Sequence, residues 1–301
     1  MQFALFLIAA FNLGQAEPLA AGDHLRHLTV DKVKRRHWIH VPPTYDAKKP
    51  YPVVLALHGA MMDGKLMEAF TGLSKSADAH GFIVVYPNGT GPGGLLLTWN
   101  AGQFPGEKNN KSDDVKYLGK VLDDVEGVFK VDKKRVYVTG LSNGAMMSYR
   151  LASEISERFA AIAPVAGTLA LDKFAPKRAV PIIHFHGTND TLVPFQSANK
   201  KGLTIGFVRF RSVPDTIKIC LDAYGCSDKA IETEIAMKTD KLRVLRKDYN
   251  GGKADVVLYT IEGGGHTWPG STLAPAFLGL STRNVSANDA MWEFFKKHRL
   301  K

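Results

Sequence analysis

Three short segments of this sequence carry side chains that together could perform nucleophilic catalysis. Ser142 lies in a Gly-Leu-Ser-Asn-Gly segment, between an apolar run typical of a strand and a stretch typical of a helix. Asp190 and His266 each follow a later apolar run, and three glycines precede His266. A serine hydroxyl needs a base to accept its proton, and that base needs a carboxylate to orient it. We therefore predict that Ser142, Asp190 and His266 form a catalytic triad.

Ordinary structural roles are the alternative for these residues. A Gly-x-Ser-x-Gly segment also occurs in loops, Asp190 could cap a turn, and His266 could be a loop histidine. Strand-end position favours the catalytic interpretation, because functional groups of a parallel sheet lie beyond the carboxyl ends of its strands. His184 and His186 share one strand face without a third ligand at fixed spacing, so we expect no metal there. We expect these two histidines to be packed and hydrogen-bonded.

An oxyanion forms when a serine attacks a carbonyl group, and its charge needs two N–H donors. We expect one donor to be the backbone N–H of Asn143, and the other to be that of Ala60 or its neighbour Met61. Trp99, Trp268 and Met61 are predicted to line an apolar or aromatic acyl pocket. Each of these three side chains could equally belong to the core.

The pattern of apolar runs predicts the elements that would position these groups. Alternating residues at 23–30 and 36–41 are typical of an antiparallel hairpin. Continuous apolar runs, typical of strands buried on both faces, occur at 53–57, 82–86, 135–139, 160–166, 181–186 and 255–260. Helical stretches lie between or after them, at about 65–80, 112–129 with Ser112 as N-cap, 145–152, 214–223 and 287–299. This alternation predicts one α/β domain over residues 17–301, with a mostly parallel central sheet and helices on both faces.

The first sixteen residues and the charge balance bear on where the protein acts. Residues 1–16 hold no charged side chain, and their apolar stretch is too short to span a bilayer, so we predict a signal peptide and export. A buried N-terminal helix is the alternative. The net charge is +10, but the basic residues are scattered in small groups, so we expect a solvated surface and no nucleic-acid or membrane partner.

Cys220 and Cys226 are the two cysteines of the chain. In an exported protein such a close pair favours one disulfide, provided that the helix ends between them, which Gly225 permits. The alternative is two unpaired thiols, with Cys220 on the buried face of a helix. We favour the bridge, and we expect no zinc site with so few thiols.

Six short motifs are distributed along the chain. They are His58-Gly59, Thr98-Trp99-Asn100, Asp113-Asp114-Val115, and residues 140–144, 186–194 and 264–270. In combination they resemble the secreted polyhydroxybutyrate depolymerase, feruloyl esterase and acetylxylan esterase group of α/β-hydrolases, over residues 22–298. The resemblance implies an α/β-hydrolase fold and ester hydrolysis without a cofactor, with Ser142, Asp190 and His266 as the triad. Ala60 stands where members of the group often carry a cysteine.

The expected function is that of a secreted, monomeric serine esterase that works through an acyl-enzyme. Its substrates would be small or oligomeric hydroxyalkanoate, feruloyl or acetyl esters. No polymer-binding module follows residue 301, so we do not expect action on solid polyester. A serine peptidase is the alternative within the same fold, because amides are cleaved by the same triad. A basic, non-catalytic binding protein on a hydrolase scaffold is the alternative from another class, and it would lack a triad member.

Overall fold

The computed structural model describes residues 19–102, 112–196 and 211–301. The predicted signal peptide, residues 1–16, lies outside the described residues. Within the described ranges, each helix is too short or too polar to cross a lipid bilayer.

Within the described ranges, ten strands form a single sheet. In chain order they are β1 (Gly22–Val30), β2 (Val33–Val41), β3 (Tyr51–Leu57), β4 (Ile83–Pro87), β5 (Val131–Leu141), β6 (Ala161–Val165), β7 (Ile182–Gly187), β8 (Ala230–Ile235), β9 (Val244–Tyr249) and β10 (Val256–Ile261). Their spatial order is β1-β2-β4-β3-β5-β6-β7-β10-β9-β8. The pairs from β4 to β10 across the centre are parallel, and the pairs at both ends are antiparallel. This topology confirms the predicted mostly parallel sheet with an N-terminal antiparallel hairpin.

In the part of the chain that the structure describes, six α-helices cover the two faces of the sheet. They are α1 (Gly64–Thr71), α2 (Leu73–His80), α3 (Asp114–Val128), α4 (Asn143–Glu154), α5 (Val213–Tyr224) and α6 (Ala287–Phe295). Successive residues of β3 face opposite sides: Val53 and Leu55 pack in a core cluster with α3, α4 and α5, and Val54 in a cluster with α1, α2 and α6. Burial on both faces is the reason that the central strands read as continuous apolar runs.

Three predicted helix boundaries are wrong, and the simplest case is the last helix, which is predicted over 287–299 and ends at Phe295. The predicted helix at 65–80 is divided into α1 and α2, because Gly72 adopts a left-handed conformation with φ 61° that ends α1. Ser112 is not the N-cap of α3. The carboxylate of Asp113 caps that helix by accepting a hydrogen bond from the N–H of Lys116 at 2.9 Å, and Asp114 turns into the core.

The predicted disulfide is also wrong, because Cys220 and Cys226 are both free thiols. Cys220 belongs to α5 and points into the core, where it has no exposed surface. Cys226 lies beyond the helix end at Gly225, and its Sγ is 3.3 Å from the carbonyl oxygen of Ala254. The helix α5 therefore ends between the two cysteines, as predicted, but Cys220 and Cys226 do not bond to each other.

Candidate active site

Ser142 occupies the turn between β5 and α4 in a strained backbone conformation. Its φ of 56° and ψ of −119° lie outside the regions that side-chain-bearing residues ordinarily adopt. Such strain persists only where the surrounding structure enforces it. Here the N–H of Ser142 donates to the carbonyl oxygen of Val165 on β6 at 2.9 Å, and its own carbonyl accepts from Met146 at 3.0 Å. The turn is therefore held from both the sheet and the helix.

Two glycines allow this turn to close. A Cβ atom on Gly140 would lie 2.4 Å from the carbonyl carbon of Gly144, and one on Gly144 would lie 2.2 Å from the carbonyl oxygen of Leu57. Backbone atoms cannot yield to such contacts, so any side chain at either position would force strand and helix apart. The close approach leaves the Ser142 side chain half-buried at the carboxyl edge of the sheet.

Asp190 and His266 form the second part of the site. The Nδ1 of His266 lies 2.8 Å from Oδ2 of Asp190, and both residues are almost fully buried. The other carboxylate oxygen, Oδ1, accepts hydrogen bonds from the N–H groups of Leu192 at 2.9 Å and Val193 at 2.8 Å. An ionised carboxylate can only accept, so His266 carries its proton on Nδ1 and leaves Nε2 as the basic nitrogen.

The electrostatics of this pair favour the ionised carboxylate. Burial alone raises the pKa of the Asp190 carboxyl group, but the charges and hydrogen bonds of His266 and His186 outweigh it and lower the pKa well below its ordinary value. Asp190 is therefore charged at neutral pH, as is required of a group that stabilises an imidazolium.

The loops that carry Asp190 and His266 are bound to each other and to the chain beyond them. The N–H of Asn189 donates to the carbonyl oxygen of Gly264 at 2.9 Å, directly joining the loops after β7 and β10. The N–H of His266 donates to Leu278 at 2.7 Å, so the segment 276–280 backs the imidazole loop. These backbone bonds fix the Asp190–His266 pair on the same sheet edge as Ser142.

The structure joins two of the three predicted triad residues by a hydrogen bond. Among the described residues, neither Oγ of Ser142 nor Nε2 of His266 makes a hydrogen bond, so the third connection is not formed here. Ser142, Asp190 and His266 follow the carboxyl ends of β5, β7 and β10, which are strands of one sheet in nearly adjacent positions. Catalytic hydrogen bonds are often long before substrate binds and tighten in the complex.

The geometry distinguishes between the two candidates for the second oxyanion donor. A Cβ atom on Gly59 would lie 3.5 Å from Cβ of Ser142, so the loop after β3 lies against the serine. The N–H of Met61 already donates to the carbonyl oxygen of Leu97 at 2.8 Å, whereas that of Ala60 makes no hydrogen bond within the described ranges. The geometry favours Ala60. The N–H of Asn143 is the first of α4, so it has no partner within the helix and lies at its positive end.

The side chain of Asn143 clamps the backbone of Trp99. Its Oδ1 accepts from the N–H of Trp99 at 2.7 Å, and its Nδ2 donates to the carbonyl oxygen of Trp99 at 3.0 Å. The indole Nε1 of Trp99 in turn donates to the carbonyl oxygen of His58 at 2.9 Å. Trp99 thus connects the loop that holds Ala60 to the start of α4. One of the two expected N–H donors lies at each of these places.

This arrangement does not support the predicted pocket role of the two tryptophans. Trp99 and Trp268 have no exposed surface, so neither lines a pocket that is open in this structure. The indole of Trp268 donates to Oδ1 of Asn288 on α6 at 2.9 Å, in the core. Met61 is 67% exposed and lies at the surface beside the site. The sequence carried no signal for the clamp, because the burial of a loop tryptophan depends on contacts distant along the chain.

One group of side chains in the described ranges has ligand atoms close enough for a metal ion. Asp23, His40 and Glu68 place one ligand atom each within 4.8 Å of one another on the surface. The ammonium of Lys65 lies 3.3 Å from the carboxylate of Asp23 and 2.7 Å from that of Glu68. Lys65 therefore already supplies the positive charge at this cluster. The cluster is formed by residues of the N-terminal quarter of the sequence and does not include Asp190 or His266.

A mostly parallel sheet covered by helices on both faces, with these side chains beyond the ends of β5, β7 and β10, has the architecture of an α/β-hydrolase. Residues 32–270 match the family described as "Putative esterase". The chain is 30% identical to "Putative esterase NocK" of Nocardia uniformis, over 95% of this chain and 87% of that protein. It is 26% identical to feruloyl esterase C of Emericella nidulans, over 87% of this chain and 83% of that protein.

A solved structure agrees at the level of the fold. The acetyl xylan esterase of Aspergillus awamori superposes with a TM-score of 0.61 at 17% identity, covering 91% of this chain and 99% of that one. The chain belongs to the esterase family, and it is a carboxylic ester hydrolase. This confirms the family resemblance, the fold class and the reaction class predicted from the sequence.

Proposed function

We propose that this esterase uses Ser142 as its nucleophile, His266 as its general base and Asp190 as the carboxylate that orients the base. The observation that carries the proposal is the 2.8 Å hydrogen bond between Asp190 and His266, on the sheet edge where Ser142 adopts φ 56°. The bond leaves Nε2 as the basic nitrogen, and the strained turn exposes the hydroxyl.

The proposed reaction has two halves. In the first, Oγ of Ser142 bonds to the ester carbonyl carbon while its proton passes to Nε2 of His266, and the N–H groups of Asn143 and Ala60 stabilise the oxyanion. The carbon–oxygen bond to the alcohol then breaks, and His266 returns the proton to the leaving alcohol. In the second half, His266 takes a proton from a water molecule whose oxygen bonds to the acyl carbon. It returns that proton to Oγ of Ser142 as the bond between Oγ and the acyl carbon breaks and the acid leaves.

The substrate class rests on the relatives rather than on a cavity. One relative is named feruloyl esterase C, and the structural neighbour is named acetyl xylan esterase. We propose feruloyl or acetyl esters as substrates, with hydroxyalkanoate esters as the next candidates. We also propose that the enzyme is exported, because residues 1–16 have the composition of a signal peptide.

The test compares Ser142→Ala with the wild-type chain on p-nitrophenyl acetate, a feruloyl ester, a 3-hydroxybutyryl ester and a peptide anilide. We expect ester turnover to fall by about 10⁴-fold or more in Ser142→Ala, and we expect no cleavage of the anilide by the wild type. Ser148→Ala is the matched control, because Ser148 is a buried serine of α4, the helix that Ser142 precedes, and within the described residues its hydroxyl bonds to the carbonyl of Gly144 alone. Full activity in Ser142→Ala would overturn the proposal, and anilide cleavage would favour a peptidase.

A further inference from the structure

Two histidines on β7 connect the protein core to Asp190. His184 and His186 are fully buried, and Nε2 of His184 lies 3.1 Å from Nδ1 of His186. At the core end, the hydroxyl of Tyr149 on α4 lies 2.8 Å from Nδ1 of His184. At the other end, Nε2 of His186 lies 2.8 Å from the carbonyl oxygen of Val193 and 3.3 Å from Oδ2 of Asp190. The proposed mechanism leaves Tyr149, His184 and His186 without a role.

For a neutral His186 ring, the acceptor at the Val193 end sets the direction of every hydrogen bond between Tyr149 and Val193. A carbonyl oxygen only accepts, so Nε2 of His186 carries a proton and, in a neutral ring, Nδ1 is the acceptor. Nε2 of His184 must then donate, which leaves Nδ1 of His184 to accept from the hydroxyl of Tyr149. Burial and the neighbouring His186 lower the pKa of His184 well below its ordinary value, so this ring is neutral. Burial also raises the pKa of Tyr149, so its hydroxyl keeps its proton.

These contacts leave little room for a metal ion at the two histidines. Both ring nitrogens of His184 and both of His186 already have hydrogen-bond partners in the described structure. A metal ion would need to replace at least one of these hydrogen bonds.

We infer that His186 is a positioning residue for Asp190, and that Tyr149 and His184 keep His186 in the tautomer that donates toward the triad carboxylate. The inference rests on the proposed function. Oδ2 of Asp190 accepts from His266 on one side and faces the N–H of His186 on the other. In the opposite tautomer, a lone pair of His186 would face both the carboxylate and the Val193 carbonyl. That repulsion would displace the Asp190 loop and with it the imidazole of His266.

The first test is Tyr149→Phe in the full chain, labelled with ¹⁵N-histidine. In the wild type we expect long-range ¹H–¹⁵N spectra at pH 7 to show His186 protonated on Nε2. Removing the Tyr149 hydroxyl takes away the donor to Nδ1 of His184 and loosens the support of His186, so we expect the Nε2–H signal of His186 to shift or broaden. We also expect kcat to fall about five- to tenfold with KM unchanged, the size of effect that one lost hydrogen bond produces. A His186 ring that carries its proton on Nδ1 alone in the wild type would overturn the inference.

Tyr224→Phe is the matched control. The hydroxyl of Tyr224 is also buried, but it accepts from the N–H of Val180 at 3.2 Å and does not contact His184 or His186. We expect this variant to lose stability while its kcat and its His186 spectrum stay as in the wild type. Equal kcat values in Tyr149→Phe and Tyr224→Phe would show that the hydrogen bonds through Tyr149, His184 and His186 do not affect catalysis.

The second test changes His186 itself. Gln can place an N–H donor near the position of Nε2, and Leu cannot, so we expect His186→Gln to retain more kcat than His186→Leu, which should lose about 10- to 100-fold. Equal activity in the two variants would contradict the inference, and Tyr149→Phe decides the question if His186→Leu does not fold.

The failure of the proposed function is distinguishable from the failure of this inference, because it appears as activity in Ser142→Ala. An inactive Ser142→Ala with a fully active Tyr149→Phe would overturn only the positioning role.

Discussion

Two networks flank Ser142, and they hold their parts of the site in different ways. On one flank, which we call the donor side, Ala60 and the Asn143 N–H are held through His58, Trp99 and the Asn143 amide. On the other flank, the acid–base side, Asp190 is held between His266 and His186. The donor side is built from neutral groups bound to backbone atoms. The acid–base side is built from titratable groups, whose hydrogen bonds depend on where each proton lies.

Because the two sides are built differently, a substitution affects them through different properties. On the donor side, a substitution acts through the position of two backbone N–H groups, so shape and packing decide its effect. On the acid–base side, a substitution that preserves shape can still be severe, because it changes which atom donates and which accepts. His58 belongs to the donor side. Burial lowers its pKa to about 4, so its ring stays neutral at pH 7.

Asp190→Asn should produce the largest effect, because it alters the acid–base side without altering its shape. The amide can donate as well as accept, so His266 is no longer held in the tautomer that leaves Nε2 basic. We expect kcat to fall by about 10³- to 10⁴-fold, measured as ester turnover at pH 7. Asp248→Asn is the control, since Asp248 is a surface carboxylate that pairs with Arg246 on β9. A loss of less than tenfold would mean that the proton positions are not what distinguishes this side.

Asn143→Ala should produce an intermediate effect on the donor side. It removes both hydrogen bonds to Trp99 and leaves two buried backbone groups without partners. We expect kcat to fall about 10- to 100-fold as the donors shift, and the free energy of unfolding in urea to fall by about 2 to 4 kcal/mol.

Asn288→Ala is the matched control for this prediction. Its amide also links a tryptophan to the backbone, by accepting from the Trp268 indole and donating to the carbonyl of Thr71, each at 2.9 Å. It should lower stability while leaving kcat unchanged. A similar loss of kcat in both variants would show that Asn143 acts only through general stability.

Trp99→Phe should produce the smallest effect. An aromatic ring is kept, while the hydrogen bond from Nε1 to the carbonyl of His58 and the volume of the second ring are lost. We expect kcat to fall about fivefold and KM to stay unchanged, because a ring with no exposed surface does not touch the substrate. Trp268→Phe, which loses a comparable indole bond away from the site, should leave both constants unchanged. A large rise in KM for Trp99→Phe alone would restore the predicted pocket role.

The central strands and the strand-end positions of the candidate residues could be predicted from the sequence. Each central strand is buried on both faces, so it forms an apolar run that ends sharply where Ser142, Asp190 or His266 follows. The position of each residue after such a run is the basis of the predicted triad, which stays a prediction until it is tested.

The strands β8 and β9 could not be predicted in the same way. β8 is exposed along most of its length, and it alternates Glu232 and Glu234 with residues that also face solvent. Such a strand is stabilised by its ladder to β9, from Ala230 paired with Tyr249 to Ile235 paired with Val244, and not by an apolar face. Periodicity therefore gives no signal for it.

The clamp between Asn143 and Trp99 shows a second limit. These residues are 44 positions apart, and the hydrogen bonds between them exist only after a loop has folded against the start of α4. From the sequence, a loop tryptophan beside a predicted site is equally consistent with a pocket wall or a core residue. Only the folded contacts show that Trp99 supports the site from beneath.

The most direct test of the central claim is to trap the nucleophile. The full chain is treated with an organophosphonate that reacts with activated serines, and the adduct is located by mass spectrometry of the intact protein and of its peptides. The account predicts one adduct per chain, on Ser142, that abolishes ester hydrolysis and does not form in Ser142→Ala. An adduct on another residue, or full ester hydrolysis by a chain in which Ser142 is completely modified, would contradict it.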